Sequence, residues 1–338
     1  MKIVVLAGGK SNERDVSLSS GSQVANALLS KGHQVLLVDL IVGLPEKLDF
    51  ETAYQRYHQD RFTYEIPEIP ASFDECVPEI GPNILGLCAS ADITFLALHG
   101  GIGENGKLQA ILDCFNIKYT GSNYEGSLLA MNKLVFKELI RSNNLNTANW
   151  TRITCLDDIN KVKLPAVVKP IDNGSSIGIS IVENQASLEE ACGEALRHSD
   201  YSYVLVEDKI EGREFSVGIL GEQVLPVIEL KPKAGFYDYK NKYQQGRTEE
   251  LVPAPIEESL REKMQNLAWR AHQLLGMSVC SRTDFIVSKD NQIYMIELNS
   301  LPGMTPISLL PQEAKAAGIN YEDLCERIIE ESLKKYEK

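Results

Sequence analysis

No stretch of the 338 residues stays apolar long enough to cross a bilayer, and no two of the seven cysteines stand in a Cys-x-x-Cys spacing. The first absence excludes a membrane-spanning helix. The second, with an odd cysteine total, argues against a zinc site and a disulfide framework and for a reducing cytoplasm. Positive charge is also short: 34 Lys and Arg face 47 Asp and Glu, a net −13. Electrostatically driven binding of nucleic acid is therefore not expected, while a local basic pocket for a small phosphorylated ligand stays open. The first nine residues hold a short apolar run that ends in glycines, without the longer apolar region and cleavage signature of a secretory peptide, and read as a buried strand. Internal repeats and low-complexity tails are missing too.

What is there alternates strand and helix, at a length that fits two or three compact units. Residues 3–7 and 35–40 read as buried strands around a helix through 17–29, a βαβ opening. A third strand at 93–98 leads into His99-Gly-Gly-Ile-Gly-Glu-Asn-Gly106, a helix near 107–115 and a short strand at 117–120, where the first unit closes. The stretch 43–86, rich in Pro, Glu and aromatics, shows no assignable pattern and is expected as an insertion packed on that unit. Helical pattern through Lys133 and Lys137, strands at 166–169, 177–182 and 203–207, and a helix at 187–197 make a smaller second α/β unit. The third begins near Gly212, with strands at 214–220 and 224–230, an irregular stretch to Pro255, a helix at 257–275, a hairpin at 281–299 and a closing helix at 321–335.

The hairpin is the most informative segment. With its turn centred on Asp290-Asn291, Asp284 pairs with Glu297 and Arg282 with Asn299, and side chains two apart share a face. Directly opposed carboxylates repel, so an Asp and a Glu beside an amide point to a hard cation that takes oxygen ligands, magnesium above all. The alternatives are a face neutralised by Arg282, or a register off by one in which the groups never meet. The continuation, Asn299-Ser-Leu-Pro-Gly-Met-Thr305, is a Pro-Gly turn that brings backbone N–H groups near the same surface.

Other segments carry weaker signals. Residues 8–21 follow a strand and open a helix, an arrangement able to receive an anion, yet they lack the Gly-x-Gly-x-x-Gly spacing of a dinucleotide site. Glu13 there reads either as a partner for a substrate ammonium or as a first-turn carboxylate favoured by the helix dipole, and the residue alone favours the latter. Asp172-Asn-Gly-Ser-Ser-Ile-Gly178 is either a phosphate-wrapping loop or a tight hairpin. Lys169, ending an apolar strand, needs an anion. Residues 204–215 run from a strand into a polar hinge that can read an adenine edge, with Glu214 at ribose hydroxyls, or serve only as a charged linker. Phe236-Tyr-Asp-Tyr-Lys-Asn-Lys-Tyr243 reads as a lid over a ligand or as a self-packed surface loop.

In this order, Glu13 with Val16-Ser17, the 99–106 glycine motif, Met131-Asn-Lys133, Val168-Lys-Pro170 with Gly174-Ser-Ser176, the 207–214 hinge, the 236–243 segment, Arg282-Thr-Asp284 and Glu297-Leu-Asn-Ser-Leu-Pro-Gly-Met-Thr305 resemble the ATP-grasp ligases, most closely the D-alanine:D-alanine ligases. The resemblance covers nearly the whole chain. It implies a three-domain α/β (α+β) fold: an N-terminal parallel-sheet domain at 1–120, a central ATP-grasp subdomain at 121–211 and a C-terminal one at 212–338, with ATP held between the last two. It further implies a cytoplasmic homodimer that joins two D-alanines through a D-alanyl phosphate for peptidoglycan synthesis.

By the same resemblance Lys133, Lys169 and Ser176 attend the ATP phosphates, Glu207, Asp208 and Ile210 the adenine, and Glu214 the ribose. Asp284, Glu297 and Asn299 hold two magnesium ions, with manganese as a substitute. Glu13 grips the ammonium of the first D-alanine, Ser175 and Tyr243 link to it and close the lid, and Arg282 with the Gly303 N–H stabilises the tetrahedral oxyanion. Lys242, Ser308 and Leu309 bind the second D-alanine, and His99 lies beside the substrates or serves structure alone. Lys242-Tyr243 resembles the dipeptide-forming members rather than the ester-forming ones. Asn105 and Asn132 stand where the family usually has aspartate, and are expected to change local hydrogen bonds only.

Overall fold

The computed structural model describes residues 1–67, 76–174, 176–233 and 247–337 and contains three sheets. Strands β1 (Lys2–Ala7), β2 (Gln34–Asp39) and β3 (Ile93–Leu96) form a parallel sheet in the order β2-β1-β3. Ile3 to Ala7 are wholly buried, as a central parallel strand covered on both faces must be. Helix α1 (Arg14–Ser30) packs on this strand so closely that a Cβ at Gly21 would lie 2.5 Å from that of Ala7. In the 43–86 stretch, α2 (Phe50–Tyr57) and α3 (Ile84–Ala89) bury Phe50, Ala53, Ile84 and Leu87 in the cluster under the sheet, as expected of an insertion on this unit. The N-cap Asp49 accepts from Thr52 N at 2.9 Å, which satisfies one of the unpaired N–H groups at the start of α2. After β3 come α4 (Gly101–Glu104) and α5 (Lys107–Cys114). The strand expected at 117–120 shrinks to one bridge, Thr94 to Tyr119, because the Thr120 side chain rather than main chain takes the Leu96 N–H at 3.0 Å.

Helices α6 (Tyr124–Met131) and α7 (Lys133–Ser142) lead to an antiparallel sheet of β4 (Trp150–Ile153), β5 (Ala166–Lys169), β6 (Ser180–Val182) and β7 (Val204–Asp208), in the order β4-β7-β5-β6. Between its strands run α8 (Leu156–Ile159) and α9 (Gln185–Arg197). The four-residue edge strand β4 has no counterpart in the sequence expectations, since Trp-Thr-Arg-Ile is too short to show a period.

The third sheet runs β11-β10-β8-β12-β13, all antiparallel, from β8 (Gly212–Leu220), β10 (Ile228–Pro232), β11 (Thr248–Leu251), β12 (Cys280–Ser288) and β13 (Ile293–Asn299), with β9 (Gln223–Val224) on β8. The strand expected at 224–230 is split into β9 and β10, and Pro226, which has no N–H to give a ladder, lies in the break. Helix α10 (Glu258–Leu274) buries Met264, Ala268 and Ala271 on this sheet. The chain ends in α11 (Leu309–Ala316) and α12 (Tyr321–Leu333). The last helix returns to the first unit, where Leu324, Ile328 and Ile329 share a core with Val24 and Leu28 of α1. Among the described residues no helix is long and apolar enough to cross a membrane, and no disulfide links the cysteines.

Candidate active site

The β12–β13 hairpin separates two cavities. One of about 360 Å³ opens against the first unit and is lined by Glu13, His99, Arg282, Asn299, Gly303, Ser308 and Leu309. The other, about 210 Å³, lies between the second and third sheets, with Lys169, Ser176, Glu207, Asp208, Ile210, Glu214 and Asp284 in its walls. A small recess beside them contains Lys133. Glu297 lines all three. Ser175, Lys242 and Tyr243, with the rest of the expected lid, lie outside the described residues.

The pairing Asp284–Glu297 and Arg282–Asn299 is present, but not through the symmetric turn expected for it. The loop is three residues, Lys289 to Asn291, with Asn291 in the left-handed region, and pairs near the turn run one residue short: Phe285 with Met295, Ile286 with Tyr294. A bulge at Ile296 then inserts one residue and restores the register that faces the carboxylates toward each other. Arg282 donates to both Asp284 oxygens at 2.9 and 2.8 Å, so the neutralised-face alternative holds for this one carboxylate. Ser216 Oγ at 2.7 Å and Asn299 Nδ2 at 3.2 Å complete its partners, while Glu297 lies 3.7 Å from Lys133 Nζ.

The described residues hold no group of three or more His, Cys, Asp or Glu side chains poised around a metal. Two carboxylates and one amide on one sheet face are instead the sparse oxygen set suited to magnesium, which keeps waters and substrate phosphates as its other ligands. The donor chemistry of Asp284, Glu297 and Asn299 therefore fits that ion.

On the larger cavity's side, Glu13 occupies the N-cap position of α1, yet its side chain makes no capping hydrogen bond. It lies between two glycines instead: a Cβ at Gly100 would come within 3.1 Å of Oε2, and one at Gly174 within 2.9 Å. A side chain at Gly174 would thus displace the carboxylate. The helix-cap reading gives way to a carboxylate facing the cavity. Gly8 N–H is taken by Ser17 Oγ at 2.9 Å and is therefore not free for an anion. His99 is buried, shares a 2.9 Å hydrogen bond with Ser20 Oγ, and is held neutral because burial depresses its pKa more than nearby Glu13 raises it. Beyond Gly303, Ser308 Oγ turns back to Thr305 Oγ1 at 2.7 Å.

The second cavity satisfies its own charges. The anion that Lys169 requires is Glu207, at 2.9 Å. Burial would raise the Glu207 carboxyl, but Lys169 and Lys137 outweigh it and hold the pKa below its ordinary value. Lys133 Nζ donates to Asn173 O at 2.6 Å, which ties the start of α7 to the loop after β5. Asn132 caps that helix through Val135 N at 3.0 Å and Asn105 accepts from Lys107 N at 3.1 Å, bonds an aspartate would make equally well.

Several lining or supporting residues escaped the sequence reading. Glu104 lies in the glycine motif already singled out, and burial, then Glu13, pushes its carboxyl up to about 8. Ile66 reaches the larger cavity from the 43–86 stretch, which carried no signal at all. Ser216 faces Asp284 only through the β8–β12 register, and Lys137 is hidden in an amphipathic helix.

Residues 2–122 match the family described as D-ala D-ala ligase N-terminus, and residues 131–330 the one described as D-ala D-ala ligase C-terminus. The chain is 44% identical to a D-alanine--D-alanine ligase of Pediococcus pentosaceus, over 100% of this chain and 99% of that protein. It is 36% identical to one of Aquifex aeolicus, over 97% and 100%. The solved structure of D-alanine--D-alanine ligase from Bacillus anthracis complexed with ATP resembles it with a TM-score of 0.76 and 29% identity, covering 100% of both chains. With both halves of the chain matched and relatives aligned end to end, the chain belongs to the D-alanine–D-alanine ligase family.

Proposed function

We propose that the chain joins two D-alanines into D-alanyl-D-alanine at the expense of ATP, supplying a peptidoglycan precursor in the cytoplasm as a homodimer. The observation that carries this reading is Glu297, which borders both large cavities at once. ATP in the cavity between the sheets and D-alanine in the cavity at Glu13 would meet at that side chain. In this reading the functional units are 1–120, 121–211 and 212–338.

Glu13 receives the ammonium of the first D-alanine, with Ser175 and Tyr243 continuing that hydrogen-bonded chain. The carboxylate so aligned takes the γ-phosphoryl group, ADP departs, and a D-alanyl phosphate is left. Lys133, Lys169 and Ser176 offset phosphate charge, while Glu207, Asp208 and Ile210 line the base and Glu214 faces the ribose. Asp284, Glu297 and Asn299 would hold magnesium, which when bound spreads the charge of the transferring group. The second D-alanine, its carboxylate on Lys242 and Ser308 with Leu309 beside it, attacks the acyl carbon through its deprotonated amine. Arg282 and the Gly303 N–H face the oxyanion that forms, and phosphate leaves as the amide closes. His99 stays neutral and sets the shape of the first subsite.

Phosphate release that requires D-alanine, with D-alanyl-D-alanine as the mass-identified product, is the expected result. Turnover with D-lactate or D-serine as acceptor but none with D-alanine would overturn the assignment.

A further inference from the structure

The loop after β5 borders, from the second unit, the same region that Glu297 borders from the third. Asn173 lines the cavity between the sheets, Gly174 lines the cavity at Glu13, and both border the recess that contains Lys133. At Gly174 the fit is tight, since a Cβ there would lie 2.9 Å from Glu13 Oε2. Glycine adds no side chain to hold such a fit, so its neighbours must set where it lies. One tie comes from α7: Lys133 N donates to Ile171 O at 3.0 Å, and the Lys133 ammonium donates to Asn173 O at 2.6 Å. In the reading above that ammonium also serves the ATP phosphates, and a bond for which a ligand competes is a poor anchor.

The second tie is made by a side chain that lines neither large cavity. Asp172 accepts from Ser199 Oγ at 2.6 Å and, through both carboxylate oxygens, from Asp200 N at 3.3 Å. Ser199 Oγ in turn accepts from Tyr201 N at 3.2 Å, so the turn just past α9 folds around this one carboxylate. That helix is itself fixed, with Leu188, Ala191 and Ala195 in a core shared with Val168 of β5 and Val206 of β7. The far end of the loop meets the same turn, where a Cβ at Gly178 would come within 3.0 Å of that of His198. We propose that Asp172 is a positioning residue for the first-substrate subsite: by fastening the loop to the turn after α9, it seats Gly174 against the Glu13 carboxylate and fixes where that carboxylate points. Glu13 spends no hydrogen bond on capping α1, and Gly100 and Gly174 bound its Oε2 on two sides. The C-terminal end of a helix disfavours a negative charge, so the Asp172 contact stands on its hydrogen bonds, and an amide oxygen can accept the same ones.

This inference rests on the reading that the cavity at Glu13 takes D-alanine, and amide hydrogen exchange, which needs no turnover, separates the two. On the full chain, Asp172→Ala should speed exchange over residues 171–174 by about tenfold, the equivalent of the lost bonds. In phosphate-release assays the same variant should raise the half-saturating D-alanine concentration by about tenfold. The ADP dissociation constant should stay within about twofold, because Lys169 and Glu207 stand on strands. Ser199→Ala removes the same contact from the other side and should give the same shifts, with the double variant no worse than either single one. Asp172→Asn should return exchange and D-alanine saturation to near the wild type. Losses that add in the double variant, an Asn variant as impaired as the Ala one, or D-alanine and ADP weakened alike overturn the proposal, since those are the marks of a merely structural aspartate. If Asp172→Ala shows no cooperative melt, Ser199→Ala carries the test, and unchanged exchange and D-alanine saturation there overturn the proposal as well. Faster exchange in the variant of a chain whose wild type shows no D-alanine-dependent turnover sinks the D-alanine reading alone, whereas exchange that does not rise overturns the inference whatever the turnover.

Discussion

In the cavity between the second and third sheets, charged groups on strands neutralise one another: Lys169 ends β5 and Glu207 lies in β7, with Lys137 of α7 paired to Glu207 from outside the lining. In the cavity at the first unit, the working groups other than Arg282, Glu297 and Asn299 of the hairpin stand at helix starts and turns. Glu13 precedes α1, His99 follows β3, and Gly303 and Ser308 precede α11. The first arrangement is preorganised by regular backbone, the second by loops converging from far-separated parts of the chain. A site that grips a constant ligand can be built into sheets, whereas a site that admits two substrates and releases a product gains from groups on segments that move independently.

Glu297 belongs to both cavities, so its substitution should be the most damaging and should blur the comparison. Glu297→Gln is expected to reduce D-alanine-dependent phosphate release by about 10³-fold, and to weaken nucleotide binding in magnesium but not in its absence. A turnover near wild type would remove the metal role from this side chain. Arg282→Ala should come next and fall on one side only. Turnover drops by roughly 10²- to 10³-fold with nucleotide affinity retained, because Asp284 keeps Ser216 and Asn299 as donors. Nucleotide affinity lost in parallel with turnover would show that Arg282 serves both cavities and that the division drawn here is too sharp.

How much was legible beforehand follows the same division. Strand-borne groups were readable because a period of two puts side chains on known faces: Asp284 opposite Glu297 emerged from counting alone. Even there the count succeeded through the bulge at Ile296, a feature that no pattern of apolar residues announces. Apart from the Pro-Gly turn at Pro302-Gly303, loop-borne groups were assigned roles only by resemblance to a family, and Glu13 taken by itself pointed to a helix cap that its side chain does not form. Ile66 was invisible, since its place in the cavity depends on tertiary ties. The Phe62 main chain exchanges two 2.8 Å hydrogen bonds with the Asn26 side chain, and Tyr64 O–H donates to Asp15 at 2.5 Å. The return of α12 to α1 was equally hidden, because amphipathic periodicity reports that a face is buried and not what buries it.

The shared wall can also be probed by acid. His272, buried at the end of α10, shares a 2.8 Å hydrogen bond with Ser281 Oγ at the start of β12, and burial lowers its pKa to about 4. Its folded pKa is below the unfolded value of about 6.5, so the unfolded chain binds the extra proton first. The contribution is fully present above about pH 6.5 and is lost as pH falls toward 4, by at most about 3 kcal/mol. Melting temperature should therefore drop across that window, and His272→Gln should flatten the drop. A variant as acid-sensitive as the wild type would assign the loss to other groups. The smallest effect should come from Tyr64→Phe, which removes one hydrogen bond worth about 1 kcal/mol from the strap that carries Ile66. Because the strap touches only the loop-built cavity, the KM for D-alanine should rise a few-fold, about the equivalent of that bond, with kcat and nucleotide affinity unchanged. Equal shifts in KM for ATP and D-alanine would mean that the two cavities respond as one body, and the contrast between strand-built and loop-built sites would then describe their construction but not their energetics.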